Sequence, residues 1–280
     1  MAMIIQLRDK VILVTGASSG IGEQLARQAA RGGARVVLVA RRLERLVRIA
    51  SEIERAGGSA LAAEADVRQP ALLESAVQRA LSTYGRLDIV IANAGFGVQG
   101  LLTELSVDDY RRQFETNVFG VLNTVYATLP ALIESRGALG VIGSAAGYLN
   151  APRSSAYCMS KHAVRSLCAC IRHELAAEGV SVTHLAPGFV ASDIRRVDNA
   201  GEPHAGAEDP VPGWLQMPAP LAAQKILSAV VKRRAEAVIT LHAKATVQLE
   251  RHVPWLVSWA TGAAGRRVRR LAGSRTTSGA

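Results

Sequence analysis

The chain has 280 residues, 49% of them hydrophobic, and a formal net charge of +10. That length and apolar content suit one large α/β domain with a buried core. Three cysteines, Cys158, Cys168 and Cys170, form an odd set without metal-ligand spacing; they exclude a disulfide framework, predict no metal site and indicate a reducing, cytoplasmic setting.

In chain order, apolar runs and turn residues predict strands at 11–15, 35–40, 59–64, 89–92, 140–144, 180–185 and 237–241. Between them the 3.6-residue pattern predicts helices at 20–31, 43–55, 70–84, 107–136, 155–178 and 221–233. Strand and helix alternate, which predicts a doubly wound sheet with helices on both faces. No repeat or linker divides the chain. The stretch 193–220 breaks the rhythm with Gly201, Pro203, Gly206, Pro210, Pro212, Gly213, Pro218 and Pro220, so it reads as a long functional loop. The N-terminus lacks a basic segment followed by an apolar core, so no signal peptide is expected.

The first strand, Lys10-Val11-Ile12-Leu13-Val14-Thr15, runs directly into Gly16-Ala17-Ser18-Ser19-Gly20-Ile21-Gly22 and then into a good helix former. Strand, glycine turn and helix together let backbone N–H groups face a pyrophosphate. Gly16 would make the tight turn, Gly20 would admit the phosphates, and Gly22 would let helix and strand pack closely. Ser18, Ser19 and Ile21 complete that binding turn. The second strand ends at Ala40, where an acid would accept a bond from an adenosine 2′-hydroxyl. Arg41 and Arg42 follow instead, and guanidinium groups suit a 2′-phosphate. The expected cofactor is NADP(H), with Arg41 the primary contact and Arg42 its helper.

Tyr157 and Lys161 stand four residues apart at the start of a predicted helix. That spacing sets a phenol and an ammonium on one face, about 5–6 Å apart at Cβ. A fixed cation favours phenolate over the neutral phenol. Such a tyrosine can give or take a proton near neutral pH, as carbonyl–alcohol interconversion requires.

Thr15-Gly16-x-x-x-Gly20-x-Gly22, Asn93-Ala94-Gly95, Asn117, Ser144, Tyr157-x-x-x-Lys161 and Pro187-Gly188 together resemble the short-chain dehydrogenase/reductase family in order and spacing. The resemblance spans about residues 8–241. It implies a Rossmann-like sheet of seven mostly parallel strands in a single domain. It also implies Tyr157 as acid and base, with Lys161 lowering its pKa and binding the nicotinamide ribose. Ser144 would hold the substrate oxygen, and Asn117 would anchor a water that links Lys161 to solvent. Asp66 would meet the adenine amino group and Val67 would border its ring. Asn93, Ala94 and Gly95 would line the ribose and nicotinamide. Pro187, Gly188, Val190 and Ser192 would line the nicotinamide, Ser192 standing where the family has threonine. A homodimer or homotetramer is implied, built on the helices holding Asn117 and Tyr157.

Phe96, Tyr148, Asn150, Phe189 and Trp214, with Leu149, Leu215 and Met217, are mostly apolar and suit a small hydrophobic carbonyl or alcohol substrate. Arg153, Arg195 and Arg196 either meet a carboxylate or stay solvated. Domain boundaries are expected at 1–250 for the catalytic unit and 251–280 for a basic extension. From Arg251 to Ala280 there are six arginines, two tryptophans and no acid. The extension reads as a packed element at a subunit interface or substrate mouth, as a peripheral contact with the inner face of a membrane, or as a disordered tail. Its apolar run, 253–265, is far short of the ~20 residues that a bilayer span requires. No nucleic acid partner is expected, since a basic tail alone has no reading element. The alternative function is a catalytically silent dinucleotide-sensing protein on the same fold.

Overall fold

Strands Val11–Thr15 (β1), Arg35–Ala40 (β2), Ser59–Glu64 (β3), Ile89–Ala92 (β4), Ala138–Ile142 (β5), Ser181–Ala186 (β6) and Glu236–Val238 (β7) form one sheet. Their order is β3-β2-β1-β4-β5-β6-β7, and every pairing is parallel, not merely most of them. The computed structural model describes residues 7–192, 194, 197–201, 209 and 211–276. Arg195, Arg196, Pro203, Gly206 and Pro210 lie outside the described residues, as do the side chains beyond 266.

Strand β1 explains why its sequence is apolar throughout. Ile12 and Val14 face one core with Val36, Leu38, Leu25, Leu46 and Ile226. Val11 and Leu13 face the other, with Val37, Val39, Leu73, Val121 and Val164. Each fully buried side chain of this size contributes about 1.5–3 kcal/mol relative to exposure. The helices that supply the two cores are Gly20–Arg31 (α1), Leu43–Arg55 (α2), Pro70–Tyr84 (α3), Val107–Phe114 (α4), Gly120–Ser135 (α5), Ser155–Glu174 (α6) and Ala219–Val231 (α7). Two more, Leu241–His252 (α8) and Pro254–Thr276 (α9), follow the last strand.

The chain builds outward from β1 to β3, then returns to lay β4 against the other side of β1. Strand order reverses there, and the crevice beyond the C-terminal ends of β1 and β4 is where ligands of open α/β sheets sit.

Several boundaries differ from expectation: α6 ends at Glu174 and not at 178, and β7 stops at Val238 because α8 begins at Leu241. The helix expected at 107–136 is broken by a single π turn at Glu115–Phe119, which separates α4 from α5. Arg136 adopts a left-handed conformation (φ 47°) that ends α5 and starts β5 at Ala138. Ser144 therefore lies beyond the strand and not on it. Helix α7 starts at Ala219, with Pro220 in its first turn, where the missing N–H would have had no helical partner. In the described part of the long loop, Val190 pairs with Met217. Asn199 exchanges hydrogen bonds with the Gln99 backbone, at 3.0 Å each way.

Candidate active site

The glycine turn is shaped for a group bulkier than a side chain. Gly16 and Gly20 are left-handed (φ 65° and 56°), a conformation that glycine adopts without steric cost. A Cβ on Gly22 would stand 2.2 Å from the Gly16 oxygen, so α1 meets β1 more closely than any side chain permits. Asn93 locks this turn to β4. Its Nδ2 donates to the oxygens of Thr15 (2.9 Å) and Gly16 (3.3 Å). Thr15 Oγ1 accepts from the N–H groups of Asn93 and Ala94. Ser19 precedes α1 without a side-chain cap, so the helix N-terminus keeps N–H groups for an anion. These residues fit a dinucleotide pyrophosphate. Ile21 is partly buried, packed against the core beside β1.

The two arginines after β2 divide their work. Arg42, the expected helper, lies over the glycine turn and donates to Ser18 Oγ (2.8 Å) and Ser19 Oγ (2.9 Å). Arg41 reaches across the crevice to the Gly201 oxygen at 3.1 Å. Asp66 is clasped by Arg68 through Nε and Nη2. Burial pushes the Asp66 carboxyl up, but the Arg68 bonds outweigh it and hold it below its ordinary value. Val67 is buried, and its oxygen accepts from Asn123 Nδ2 at 2.9 Å. A Cβ on Gly120 would come within 2.6 Å of the Val67 side chain.

Tyr157 and Lys161 occupy the first turns of α6. Lys161 is 4% exposed; its Nζ donates to the Ile142 oxygen at 2.9 Å and lies 5.7 Å from the Tyr157 ring centre. Burial pushes the Lys161 ammonium down to about 8, against a small upward effect of Cys168. The lysine thus stays a cation over most of the neutral range. Asn117 sits in the π turn and is fully buried. Its Oδ1 accepts from Phe96 N (3.1 Å), and its Nδ2 donates to Phe96 O (3.0 Å) and Ser160 Oγ (3.2 Å). A Cβ on Gly95 would lie 3.0 Å from Asn117 Oδ1 and 3.8 Å from Lys161 Nζ. Glycine at 95 is what lets these two polar groups converge. Ser144 is half-buried and caps a short 3₁₀ turn at Ala145–Gly147, its Oγ accepting from Ala146 N at 3.1 Å. The Ala145 N–H donates to the Pro187 oxygen at 2.9 Å, which ties this turn to the end of β6.

The Tyr157 phenol, the buried Lys161 and the glycine turn thus lie towards the C-terminal edge of the sheet. A family model described as short chain dehydrogenase matches residues 10–203. The chain belongs to the short-chain dehydrogenase family. Among its relatives, dehydrogenase/reductase SDR family member 7 from Homo sapiens is 36% identical over 203 residues, covering 70% of this chain and 60% of that protein. Dehydrogenase/reductase SDR family member 7B from Bos taurus is 32% identical over 241 residues, 83% of this chain and 74% of its own. Among solved structures, a short-chain dehydrogenase/reductase from Burkholderia phymatum in complex with NAD superposes with a TM-score of 0.79. It is 28% identical and covers 90% of this chain and 96% of its own. An alcohol dehydrogenase from Thermococcus sibiricus complexed with 5-hydroxy-NADP gives 0.70 at 29% identity, over 82% and 95%. As a member of this family the chain is an oxidoreductase built to hold a nicotinamide dinucleotide.

The short-chain dehydrogenase fold does not bring every expected substrate residue together. Phe96 is buried with Val98, Ala156 and Val197, and Gly201 of the loop packs on its ring. Tyr148 is turned into the interior, where its hydroxyl meets His184 Nδ1 at 3.2 Å. Its ring is too occupied to line a cleft. Asn150 is exposed, Phe189 is 40% exposed and Trp214 is 85% exposed. Val190 is buried beside Met217, and Ser192 Oγ donates to the Val190 oxygen at 3.3 Å.

His242 is a residue that the sequence did not reveal. Its Nε2 accepts from the Phe189 N–H at 2.9 Å, and its ring stacks on Phe189 with centroids 5.2 Å apart. Burial holds its pKa below the usual histidine value, which keeps it a neutral acceptor. A Cβ on Gly188 would fall 2.3 Å from Thr240 Oγ1 and 2.4 Å from His242 Nε2. The Pro187-Gly188 corner is therefore held by the start of α8, 53 residues onward, and no local pattern announces that contact.

Proposed function

We propose that this short-chain dehydrogenase is an NADP(H)-dependent enzyme that interconverts a hydrophobic ketone or aldehyde with its alcohol. The observation that carries the reading is the buried Lys161 ammonium, 5.7 Å from the Tyr157 ring centre. The dinucleotide, when bound, supplies or accepts the hydride. Tyr157 gives its proton to the carbonyl oxygen in reduction and takes one from the alcohol in oxidation. The Lys161 cation favours the phenolate left behind. Ser144 Oγ orients the substrate oxygen, and Asn117 fixes the Phe96 backbone that walls the site. The tyrosine and lysine are both in place, which favours an enzyme over a silent dinucleotide sensor.

The NADP(H) preference rests on Ala40, Arg41 and Arg42. No acid ends β2, and the Arg42 guanidinium already lies on the hydroxyls of Ser18 and Ser19. A 2′-phosphate there would gain charge-assisted bonds that a 2′-hydroxyl cannot make. Fluorescence titration should find NADPH binding at least tenfold tighter than NADH, and a panel of apolar ketones and aldehydes should consume NADPH. Equal affinities would remove the arginine argument, and a panel without turnover would favour the sensor.

The extension at 251–280 is read as a peripheral membrane element. Val257 and Thr261 of α9 are partly buried, and a Cβ on Gly265 would rest 3.3 Å from Pro152. Trp255 and Trp259 are 70% and 67% exposed, and Arg266 is exposed too. Spacings of four and seven put these three on one helix face. Tryptophan with arginine suits an anionic lipid interface. Val107–Ser135 is the one helix among the described residues long and apolar enough to span a bilayer, and it belongs to the core. Exposed Phe119 and Tyr126 on that helix, with Met159 on α6, support assembly with a second copy. The double variant Trp255→Ala/Trp259→Ala should partition at least fivefold less onto phosphatidylserine-containing vesicles and still scatter light as a dimer or tetramer. Unchanged sedimentation with vesicles would rule out the lipid contact, and a monomeric mass the assembly.

A further inference from the structure

Beneath the Ser144 turn lies a file of polar side chains, buried at its inner end, for which the reaction has no direct use. His184 on β6 is 2% exposed, and its ring presses on the backbone just before Ser144: a Cβ on Gly143 would fall 2.1 Å from its Nε2. Its Nδ1 meets the Tyr148 hydroxyl at 3.2 Å. Tyr148 closes the 3₁₀ turn that Ser144 opens. Arg251 of α8 stands over the Tyr148 ring at 5.4 Å, and burial and the nearby Glu236 carboxylate, at the start of β7, push the Tyr148 phenol up. Glu236 in turn accepts from Arg251, in the last turn of α8, at 2.8 Å. Arg165 lies over the Tyr148 ring at 3.9 Å and donates to the Gly147 oxygen at 3.4 Å.

The protons in this file have one consistent arrangement. Burial pushes the Glu236 carboxyl up, but Tyr148 and Arg251 hold it below the ordinary value, so it is an anion that can only accept. That anion draws the Tyr148 O–H towards it, which favours the tautomer in which His184 Nδ1–H donates to the Tyr148 oxygen. Burial drives His184 down to about 4, so the ring is neutral, and with its proton on Nδ1 the Nε2 atom is bare. That nitrogen has no hydrogen-bond partner, and a bare acceptor is the less costly group to leave unpaired.

We propose that His184, Tyr148, Glu236 and Arg251 are positioning residues that set the Ser144 hydroxyl and tie its placement to helix α8. The Ser144 turn is a single 3₁₀ turn of three residues; its own bonds close it, and those from Ala145 to Pro187 and from Arg165 to Gly147 fix its outer side. The position of its inner side depends on what grips it from below. A displacement of about 1 Å at a reacting group can cost about a hundredfold in rate, so a grip on that turn is a kinetic asset. The proposal rests on the reading of Ser144 as the group that holds the substrate oxygen.

The test is a double-mutant cycle on the full chain with NADPH and the fastest carbonyl of the panel. Tyr148→Phe keeps the ring and removes the hydroxyl; it should lower kcat about tenfold and leave NADPH affinity unchanged. In a Ser144→Ala background the same change should have little further effect, because the hydroxyl it positions is gone. Glu236→Gln, which still accepts a bond, should stay within about threefold of wild type, whereas Glu236→Leu should match Tyr148→Phe. Arg251→Met cuts the outermost link and should show the same dependence on Ser144 even if a core variant fails to fold. Equal tenfold losses in both backgrounds, or a Tyr148→Phe rate within twofold of wild type, would overturn the proposal. Ser144→Ala turning over at the wild-type rate would instead remove the reading of Ser144, as would a wild-type chain inert towards every carbonyl.

Discussion

Tyr157→Phe should lower turnover about 10²–10⁴-fold while dinucleotide affinity and melting temperature stay near wild type. The substitution deletes one oxygen and nothing else. The Tyr157 ring lies on the Gly97 side of the crevice, 3.6 Å from where a Cβ on Gly97 would stand, and phenylalanine keeps that packing. Lys161 stays anchored on the Ile142 oxygen. What disappears is the proton that must reach the carbonyl oxygen as the alcohol forms. Single-turnover absorbance of the nicotinamide, with a parallel binding titration, separates the two effects. A variant that turns over within tenfold of wild type would assign the proton to another group, whatever Lys161 does.

The second large effect is expected at Gly22→Ala. The new methyl would be driven to 2.2 Å from the Gly16 oxygen and 2.6 Å from Asn93 Nδ2. Neither neighbour can yield: one is backbone, and the other is held by Thr15 and Gly16. Helix α1 must then move off β1, taking with it the N–H groups that face the pyrophosphate. Overpacking of this kind costs about 1–3 kcal/mol, which for a domain of this size lowers Tm by roughly 2–4 °C per kcal/mol. NADPH affinity should fall at least a hundredfold. Gly213→Ala is the control, since a Cβ there meets nothing within 4 Å. Wild-type melting and wild-type binding in Gly22→Ala would show the turn to be looser than its geometry implies.

The first half of the fold was legible almost to the residue because its punctuation is explicit. Strands β1 to β4 are apolar runs, α3 opens on Pro70, and Gly85 closes it in a left-handed conformation. The second half was less so. Arg136 ends α5 in the same left-handed region, and nothing about an arginine announces that, so β5 was read two residues late. Pro218 and Pro220 read as breakers although one precedes α7 and the other begins it. The tyrosine–lysine pair and the glycine turn were legible as local spacing, whereas Asn117 came only through the family resemblance. Tyr148 was misread as substrate-facing because its partners, His184 and Glu236, are far away in sequence and their burial is a property of the packed sheet. His242 escaped for the same reason. Long-range polar contacts have no period, and periodicity is what a lone sequence offers.

The π turn at Glu115–Phe119 has a consequence for the helix that carries it. A wide turn holds one residue more than its α-helical counterpart, so whatever follows is rotated by about 100° relative to an uninterrupted helix. Gln113, before the bulge, and Asn117, within it, both clasp the Phe96 backbone. Thr124, Thr128 and Leu132, after it, are buried, while Tyr126 faces outward. The azimuth of the end that holds Phe96 and that of the packing end are thus set separately along one rod. A selection that reshapes the outward stripe can do so without dragging the amide at 117 off its carbonyl.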